Sequence, residues 1–210
     1  MTMLGEKTPK TARGRRTLRK ILDAAEQEFG ARGFHEASVA SITANAGVAQ
    51  GTFYLYFDSK ELLYRELVAD LGSRLRGYLA EAVADAPSRA EAERLGLAAF
   101  IGFVREHGNL YRIVMESQFV DPEAFRLYFM DFGAAYQAGL DRAVQTGEVR
   151  AGETEGRAWA LMGISLFAGL RYGIWEPERD IGPLVDSITD MIARGLAPSP
   201  VAAPAGEEPR

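Results

Sequence analysis

The chain has 210 residues, a hydrophobic content of 47% and a formal net charge of −5, which is enough for one large or two small domains with their own cores. It contains no cysteine, which excludes disulfides, thiolate metal ligands and thiol nucleophiles and fits a cytoplasmic protein. The polar N-terminus predicts no secretory signal, and no uncharged stretch in the apolar C-terminal part reaches the about 20 residues of a membrane-spanning helix.

Charge is distributed unevenly along the chain. Residues 1–60 carry nine Lys and Arg against six acidic residues, a net charge of +3, so the remainder carries −8. A basic terminus on an acidic body is typical of a DNA-binding head with a separate regulatory domain, because only one face needs to neutralise phosphate. A solvated basic tail explains the charge alone equally well.

The first predicted helices are separated by glycines. Apolar residues at helical spacing over residues 18–29 predict a first helix that Gly30 and Gly33 end. Ser38 stands where an N-cap is expected and opens a short second helix, which ends at Gly47. No alternation with a period of two residues occurs, so we predict an all-α fold.

A third short helix is predicted over about 49–56. Asp58 and Glu61 form a capping pair that opens a long fourth helix, whose apolar face extends over residues 62–79. Five further helices follow, with Ser88 and Asp121 as predicted caps, over roughly 88–106, 110–117, 122–146, 154–175 and 184–192. The Pro- and Ala-rich segment after them is predicted to be disordered.

The segment over residues 38–60 carries the most specific signal. Two short helices around a glycine-containing turn, directly after an amphipathic helix, predict a helix-turn-helix. Val48 is expected to lie between the helices, with Ile42 and Phe53 fixing their angle from inside, and core packing is also the preferred interpretation of Leu55 and Phe57. The third helix then presents its polar and small residues outward, namely Gln50, Gly51, Thr52, Tyr54 and Tyr56.

This segment resembles the tetracycline-repressor (TetR) family of bacterial regulators. The similarity lies in Ala46-Gly47-Val48, in Gly51-Thr52-Phe53-Tyr54-Leu55-Tyr56-Phe57 and in Lys60, together with first-helix matches at Ile21–Ala25 and Phe29–Gly33. It covers about residues 15–75 specifically and the rest only in length and helix number. Thr43 departs from the pattern, because the family commonly carries alanine there at a close helix contact.

The resemblance implies a set of DNA contacts. Thr52, Tyr54 and Lys60 would contact phosphates, with Lys60 acting together with the amides at its helix start, and Gln50 would read adenine. Basic residues before and at the start of the first helix would add phosphate or minor-groove contacts. The complete predicted DNA-binding set is Arg15, Arg16, Ser38, Gln50, Gly51, Thr52, Tyr54, Tyr56 and Lys60.

The C-terminal helices hold many aromatic residues with few charges. At helical spacing these are more often core than ligand contacts, but proteins resembling this family hollow such a bundle into an apolar effector cavity. The predicted lining is Phe103, Tyr111, Arg112, Met115, Phe119, Phe129, Phe167, Arg171 and Tyr172. The two arginines could instead form ordinary salt bridges, for example with Glu116.

The predicted architecture is an N-terminal three-helix helix-turn-helix domain followed by a helical bundle for ligand binding and dimerisation. Residues 1–14 are predicted as a flexible basic arm, 15–60 as the DNA-binding domain with its motif at 38–57, 61–196 as the effector and dimerisation domain, and 197–210 as a disordered tail. The eighth helix is apolar nearly all round, so one face should pack on a partner; burial within the chain is the alternative.

These features predict a cytoplasmic homodimeric repressor, released from a palindromic double-stranded operator by a small apolar or aromatic effector, such as an acyl thioester. The alternative is a helical adaptor that binds only protein. We expect no enzyme and no cofactor or metal, because the chain has only two histidines, on separate elements, and lacks phosphate-binding and nucleophile-elbow motifs.

Overall fold

A computed structural model describes residues 9–197, which form nine α-helices and no β-strand, as the all-α prediction requires. None of these helices combines the length and apolar character needed to cross a membrane. The predicted arm residues 1–8 and tail residues 198–210 lie outside the described residues. The helices are α1 (Ala12–Glu36), α2 (Val39–Ala46), α3 (Gln50–Tyr54), α4 (Lys60–Ala82), α5 (Arg89–Glu106), α6 (Gly108–Val120), α7 (Pro122–Gln145), α8 (Thr154–Ala168) and α9 (Gly182–Leu196).

Helix α1 extends beyond its predicted ends. Thr11 caps it by accepting a hydrogen bond from its first turn at 3.0 Å, so residues 12–14 of the predicted flexible arm are helical. Gly30 was predicted to end the helix, but it lies inside α1. The chain kinks only at Gly33, whose φ of 78° is in the left-handed region that favours glycine.

Side-chain caps set the starts of several helices. Ser38, Ser88 and Asp121 accept hydrogen bonds from first-turn amides of α2, α5 and α7, and these three caps confirm the prediction. The cap of α4 differs from the prediction, because Ser59 rather than Asp58 accepts the hydrogen bond, at 3.3 Å.

Helix α8 does not run unbroken to residue 175. Its α-helical part ends at Ala168, and Gly169–Trp175 continue as a π-helix. This segment lies against α5 at two glycines. A Cβ at Gly169 would come within 2.5 Å of the Phe100 ring, and one at Gly173 within 2.6 Å of Val104, so only glycine permits this approach.

The ion pairs between α4 and α7 show that these helices run parallel. Arg65 near the start of α4 contacts Asp121 at 2.5 Å, and Arg76 farther along contacts Asp131 at 3.6 Å. The start of α5 lies beside Gly139, late in α7, so α5 runs back towards α1. We call α1–α3 the head, and the opposite end of the bundle, near Gly139, the distal end.

One apolar core joins the head to the bundle. The rings of Phe29 and Phe34 in α1 meet Tyr64 of α4 edge-on, at centroid distances of 5.1 and 5.0 Å. The same core extends through α6 to Tyr128 in α7. The domain boundary predicted between residues 60 and 61 therefore does not separate two cores.

Candidate nucleic-acid interface and ligand cavity

The helix-turn-helix rests on two fully buried side chains. Ile42 of α2 and Phe53 of α3 both have 0% exposure and fix the two short helices on the core. The turn between them begins at Gly47, whose φ of 64° and ψ of 37° require the left-handed region. Phe57 is buried as expected, but Leu55 is not a core residue, because it is 70% exposed.

The outer edge of α3 is polar and accessible. Gln50, Gly51 and Tyr54 are exposed and Thr52 is half-buried. A Cβ at Gly51 would meet nothing within 4 Å, so a large partner can approach the backbone there. Tyr56 is placed differently, since its hydroxyl donates to the carbonyl of Gly14 at 3.2 Å and so ties the end of this segment to α1.

Basic side chains line the start of α1. Arg15 and Arg16 are both exposed, and Arg15 donates to the carbonyl of Lys10 at 3.1 Å. The Tyr56–Gly14 hydrogen bond places this basic turn beside the exposed edge of α3. Ser38 is also exposed, but its hydroxyl is used in the cap of α2, where it contacts Ser41.

Lys60 occupies a structural position that the sequence did not indicate. Its ammonium donates to the carbonyls of Phe34 at 2.7 Å and Ala37 at 2.8 Å, and lies 4.3 Å from the centroid of the Phe34 ring. These carbonyls end α1, and a cation stabilises helix C-terminal carbonyls. The side chain predicted to contact phosphate is therefore used to join α4 to α1.

A cavity of about 320 Å³ lies inside the bundle, between α4, α5, α6, α7 and α8. Of the nine residues predicted to line it, three do: Tyr111, Met115 and Phe129. Most of the remaining lining is aliphatic or aromatic, and its larger members include Leu75, Leu79, Phe100, Tyr128, Phe132, Tyr136 and Met162.

Six predicted lining residues lie elsewhere. Phe103 is buried against Tyr78 and His107, at centroid distances of 5.0 and 4.2 Å. Phe119 and Phe167 are 81% and 70% exposed on the outside of the bundle. The other three are Arg112, which contacts the head, Arg171, which pairs with Glu176 at 2.5 Å, and Tyr172, which packs in the cluster of α5 and α9.

The distal end of the cavity holds a closed polar network. Glu93 of α5 is 6% exposed, and one of its oxygens contacts Nε of Arg89 at 2.7 Å and Nη2 at 2.5 Å. Its other oxygen accepts a hydrogen bond from the Tyr136 hydroxyl. Burial, reinforced by the nearby Glu93 carboxylate, raises the pKa of Tyr136 well above its ordinary value, so this hydroxyl remains a donor. None of these three residues is in the predicted lining, although the spacing of Arg89 and Glu93 is that of a helical ion pair.

A further cation lies at the same end. Arg142 of α7 lines the cavity and is exposed. Within residues 9–197 no carboxylate lies within ion-pair distance of its guanidinium, whereas Arg89 is paired with Glu93 and Arg76 with Asp131. Among the described residues, the lining cation without a carboxylate partner thus lies at the distal end, whereas the lining contributed by α6 is aliphatic and aromatic.

Helix α6 separates the cavity from the head and contacts both. On its head side, Arg112 donates to the carbonyl of Gly30 at 2.9 Å, and Glu116 accepts from the amide of Phe34 at 2.9 Å. A Cβ on Gly30 would lie 2.3 Å from Asn109, so the two helices touch through the glycine. The opposite side of α6 lines the cavity.

Two ion pairs also fix α1 to α4. Arg19 donates to both oxygens of Asp70 at 2.9 Å, and Arg74 donates to Glu26 at 2.7 Å. Since α4 continues past these contacts to line the cavity, both α4 and α6 connect the cavity mechanically to the head.

Among residues 9–197 no group of acidic and histidine side chains could hold a metal ion.

Comparison with known proteins identifies the head. Residues 21–67 match the model of bacterial regulatory proteins of the tetR family. The chain is 35% identical to the uncharacterized HTH-type transcriptional regulator YdgC of Bacillus subtilis over 117 residues, 54% of this chain and 58% of YdgC. It is 29% identical to the HTH-type transcriptional activator FasR of Mycolicibacterium smegmatis over 123 residues, 55% of this chain and 56% of FasR. It thus spans little more than half the length of these curated relatives.

A solved structure extends the similarity of fold to the bundle. FadR of Bacillus subtilis, in complex with stearoyl-CoA, superposes with a TM-score of 0.72 at 21% identity, covering 85% of this chain and 98% of FadR. The two named relatives are transcriptional regulators, which agrees with the expectation that the chain is not an enzyme. Residues 21–67 thus match the tetR family of bacterial regulatory proteins, and the chain as a whole shares the fold of FadR.

Proposed function

We propose that this protein is a dimeric, ligand-responsive repressor that binds a palindromic operator in double-stranded DNA. The observation that carries the proposal is the exposed polar edge of α3, which buried Phe53 fixes from beneath and the basic start of α1 flanks. A helix held in this way can enter the major groove while nearby arginines contact the backbone. We expect it to act in the cytoplasm, where its DNA lies.

The proposed DNA contacts follow from exposure. Gln50 is the candidate for reading a base, because an amide can pair with adenine through two hydrogen bonds. Thr52 and Tyr54 would contact phosphates, as would Arg15 and Arg16 from α1. The Lys60 ammonium is held by the carbonyls that end α1, which turns it away from a phosphate contact.

Dimerisation through α8 and α9 is supported by exposed apolar side chains. Phe167 near the end of α8 is 70% exposed, and Trp175 at the end of the π-helical continuation is 63% exposed. Met191 of α9 is 58% exposed. Apolar surface of this kind gains free energy when a partner covers it. Two recognition helices related by a two-fold axis would then meet successive major grooves, about 34 Å apart.

The ligand we propose is an amphipathic molecule with an apolar body, of which an acyl thioester is the best candidate. The cavity is within the size range of small-molecule sites and is mostly aliphatic and aromatic. FadR, which shares the fold, was solved with stearoyl-CoA. A ligand that changes the positions of α4 and α6 would change the spacing of the two heads, and a coupling of about 1–3 kcal/mol would lower operator affinity by about 5- to 150-fold.

Selection of DNA from a random pool by the unliganded protein tests this function. We expect a palindromic sequence whose affinity falls steeply as salt rises, since phosphate contacts release counterions, and whose complex dissociates on addition of an acyl-CoA. A helical adaptor would select no sequence. Because FasR is named as an activator, a promoter-reporter assay of the deletion strain should accompany the selection; the repressor predicts higher expression without the protein.

A further inference from the structure

The two ends of the cavity have different chemistry and face different parts of the protein. The distal end carries Arg142, the exposed cation without a carboxylate partner among the described residues. The end nearest the head is formed by Tyr111, Val114 and Met115 of α6. Between these levels α7 advances from Tyr128 to Gly139, roughly 16 Å at the rise of an α-helix, which is about the length of an extended acyl chain of medium length.

The charged groups of the polar network at the distal end are already paired with each other. Glu93 is already neutralised by Arg89 and accepts a hydrogen bond from the Tyr136 hydroxyl, so each of its two oxygens has a partner. Arg76, the other cation in the lining, pairs with Asp131 and stacks over an aromatic ring. An anionic group is therefore expected at Arg142, where it would retain contact with water.

An apolar tail that starts at Arg142 must extend towards α6. The lining nearest α6 is aliphatic and aromatic, and the cation on that side of the cavity, Arg76 beside Tyr128, is already paired with Asp131. The cavity face of α6, formed by Leu110, Tyr111, Val114 and Met115, is turned away from the face that contacts the head through Asn109, Arg112 and Glu116. The spacing of three to four residues within each set gives the two sets their separate faces.

We infer that the tail length of the ligand is read by α6: the anionic group anchors at Arg142, and only a tail long enough to press on Met115 displaces α6 and loosens the head. This inference rests on the proposed function and specifies its regulation. Binding and DNA release are then separate properties. A short-chain ligand occupies the cavity without releasing DNA, whereas a long-chain ligand does both.

The test compares hexanoyl-CoA with palmitoyl-CoA, using the full chain and the DNA that it selects. Ligand binding is measured as the rise in Tm, and release as the ratio of operator Kd with and without saturating ligand. We expect both thioesters to raise Tm. Hexanoyl-CoA should change the operator Kd by less than about twofold, and palmitoyl-CoA should raise it by about tenfold or more.

Two pairs of variants assign the two ends. Met115→Ala is expected to reduce release by palmitoyl-CoA several-fold while the ligand still binds, and Met130→Ala, at an exposed methionine of α7 outside the cavity lining, should keep the parental release. Arg142→Gln should weaken palmitoyl-CoA binding by about tenfold, and Arg126→Gln, on the outside of α7, should not. Palmitate in a parallel arm shows whether a carboxylate or the phosphates of CoA supply the anion.

Several results would overturn the inference. They are equal release by hexanoyl-CoA and palmitoyl-CoA, failure of hexanoyl-CoA to bind, unchanged palmitoyl-CoA binding in Arg142→Gln, or equal response to palmitoyl-CoA in Met115→Ala and Met130→Ala. A protein that selects no DNA would instead refute the proposed function itself, so the two failures are distinct.

Discussion

Lys60 and the end of α1 illustrate how one side chain can join two elements. Its ammonium group contacts two main-chain carbonyls closely and a third, that of His35, at 3.5 Å. These carbonyls have no intrahelical partner, so the lysine supplies donors that water would otherwise supply. The residue is therefore expected to contribute to stability as well as to the position of the head.

Replacing Lys60 with methionine should lower the free energy of unfolding by about 1–3 kcal/mol, the cost of removing a charged donor from partly buried carbonyls. Lys20→Met removes the same charge from an exposed position on α1 and should change stability by less than about 0.5 kcal/mol. Urea denaturation of both variants measures the difference. Equal stabilities would show that the Lys60 contacts have no net energetic value.

For individual residues, the sequence predicted the head better than the lining of the cavity. Within residues 46–57 the prediction places Phe53 and Phe57 inside correctly, because Gly47 and Phe53 restrict how the short helices pack, and it is wrong at Leu55, which is exposed. In the bundle, aromatic residues at helical spacing are consistent with several rotations of a helix, so Phe119 was assigned to the cavity although it faces solvent. The network of Glu93 and Tyr136 depends on a contact between α5 and α7 that no local pattern encodes.

The close contact between α1 of the head and α6 of the bundle depends on a glycine, Gly30. Gly30 was predicted as a helix end, because glycine commonly ends helices. Its place inside α1 instead allows the backbone to touch Asn109. The signals for a helix terminus and for a close helix contact are the same residue type, so the sequence alone could not separate them.

Gly30→Ala should destabilise the protein by about 1–3 kcal/mol, because the new methyl group overlaps the side chain of Asn109. The sign is opposite to the gain of up to about 1 kcal/mol that alanine normally gives inside a helix. Gly77→Ala, at an exposed position of α4 with nothing within 4 Å of the new Cβ, should show that gain in stability. Thermal unfolding of the two variants decides the matter; stabilisation by Gly30→Ala would mean that α1 and α6 are not in contact.

Across the whole molecule the described helices form three apolar core clusters, the largest of which joins the head to the bundle, yet α8 and α9 leave large apolar side chains uncovered. The sequence predicted that α8 is apolar on nearly every side, and the structure divides that surface between the cavity, the bundle interior and the outside. The proposed partner is a second copy of the chain, related by a two-fold axis.

Phe167→Asp should therefore raise the dissociation constant of the dimer by about thirtyfold or more, since a central apolar contact would be replaced by a charge on both copies. Phe119→Asp places the same charge at an even more exposed phenylalanine on α6 and should leave the dimer unchanged. Sedimentation velocity over a range of concentrations measures both. A Phe167→Asp protein that remains as tightly dimeric as the parent would place the interface elsewhere.

The most direct test of the central claim is the operator affinity of a Thr52→Ala/Tyr54→Ala double variant, measured by fluorescence anisotropy on the selected DNA. Leu55→Ala, which truncates the neighbouring exposed side chain, is the control. If α3 presents its polar edge to the duplex, the double variant should bind about 10- to 100-fold more weakly, because two hydrogen bonds to phosphate are lost, while the control binds normally. A folded, dimeric double variant that binds this DNA as tightly as the parent would contradict the account.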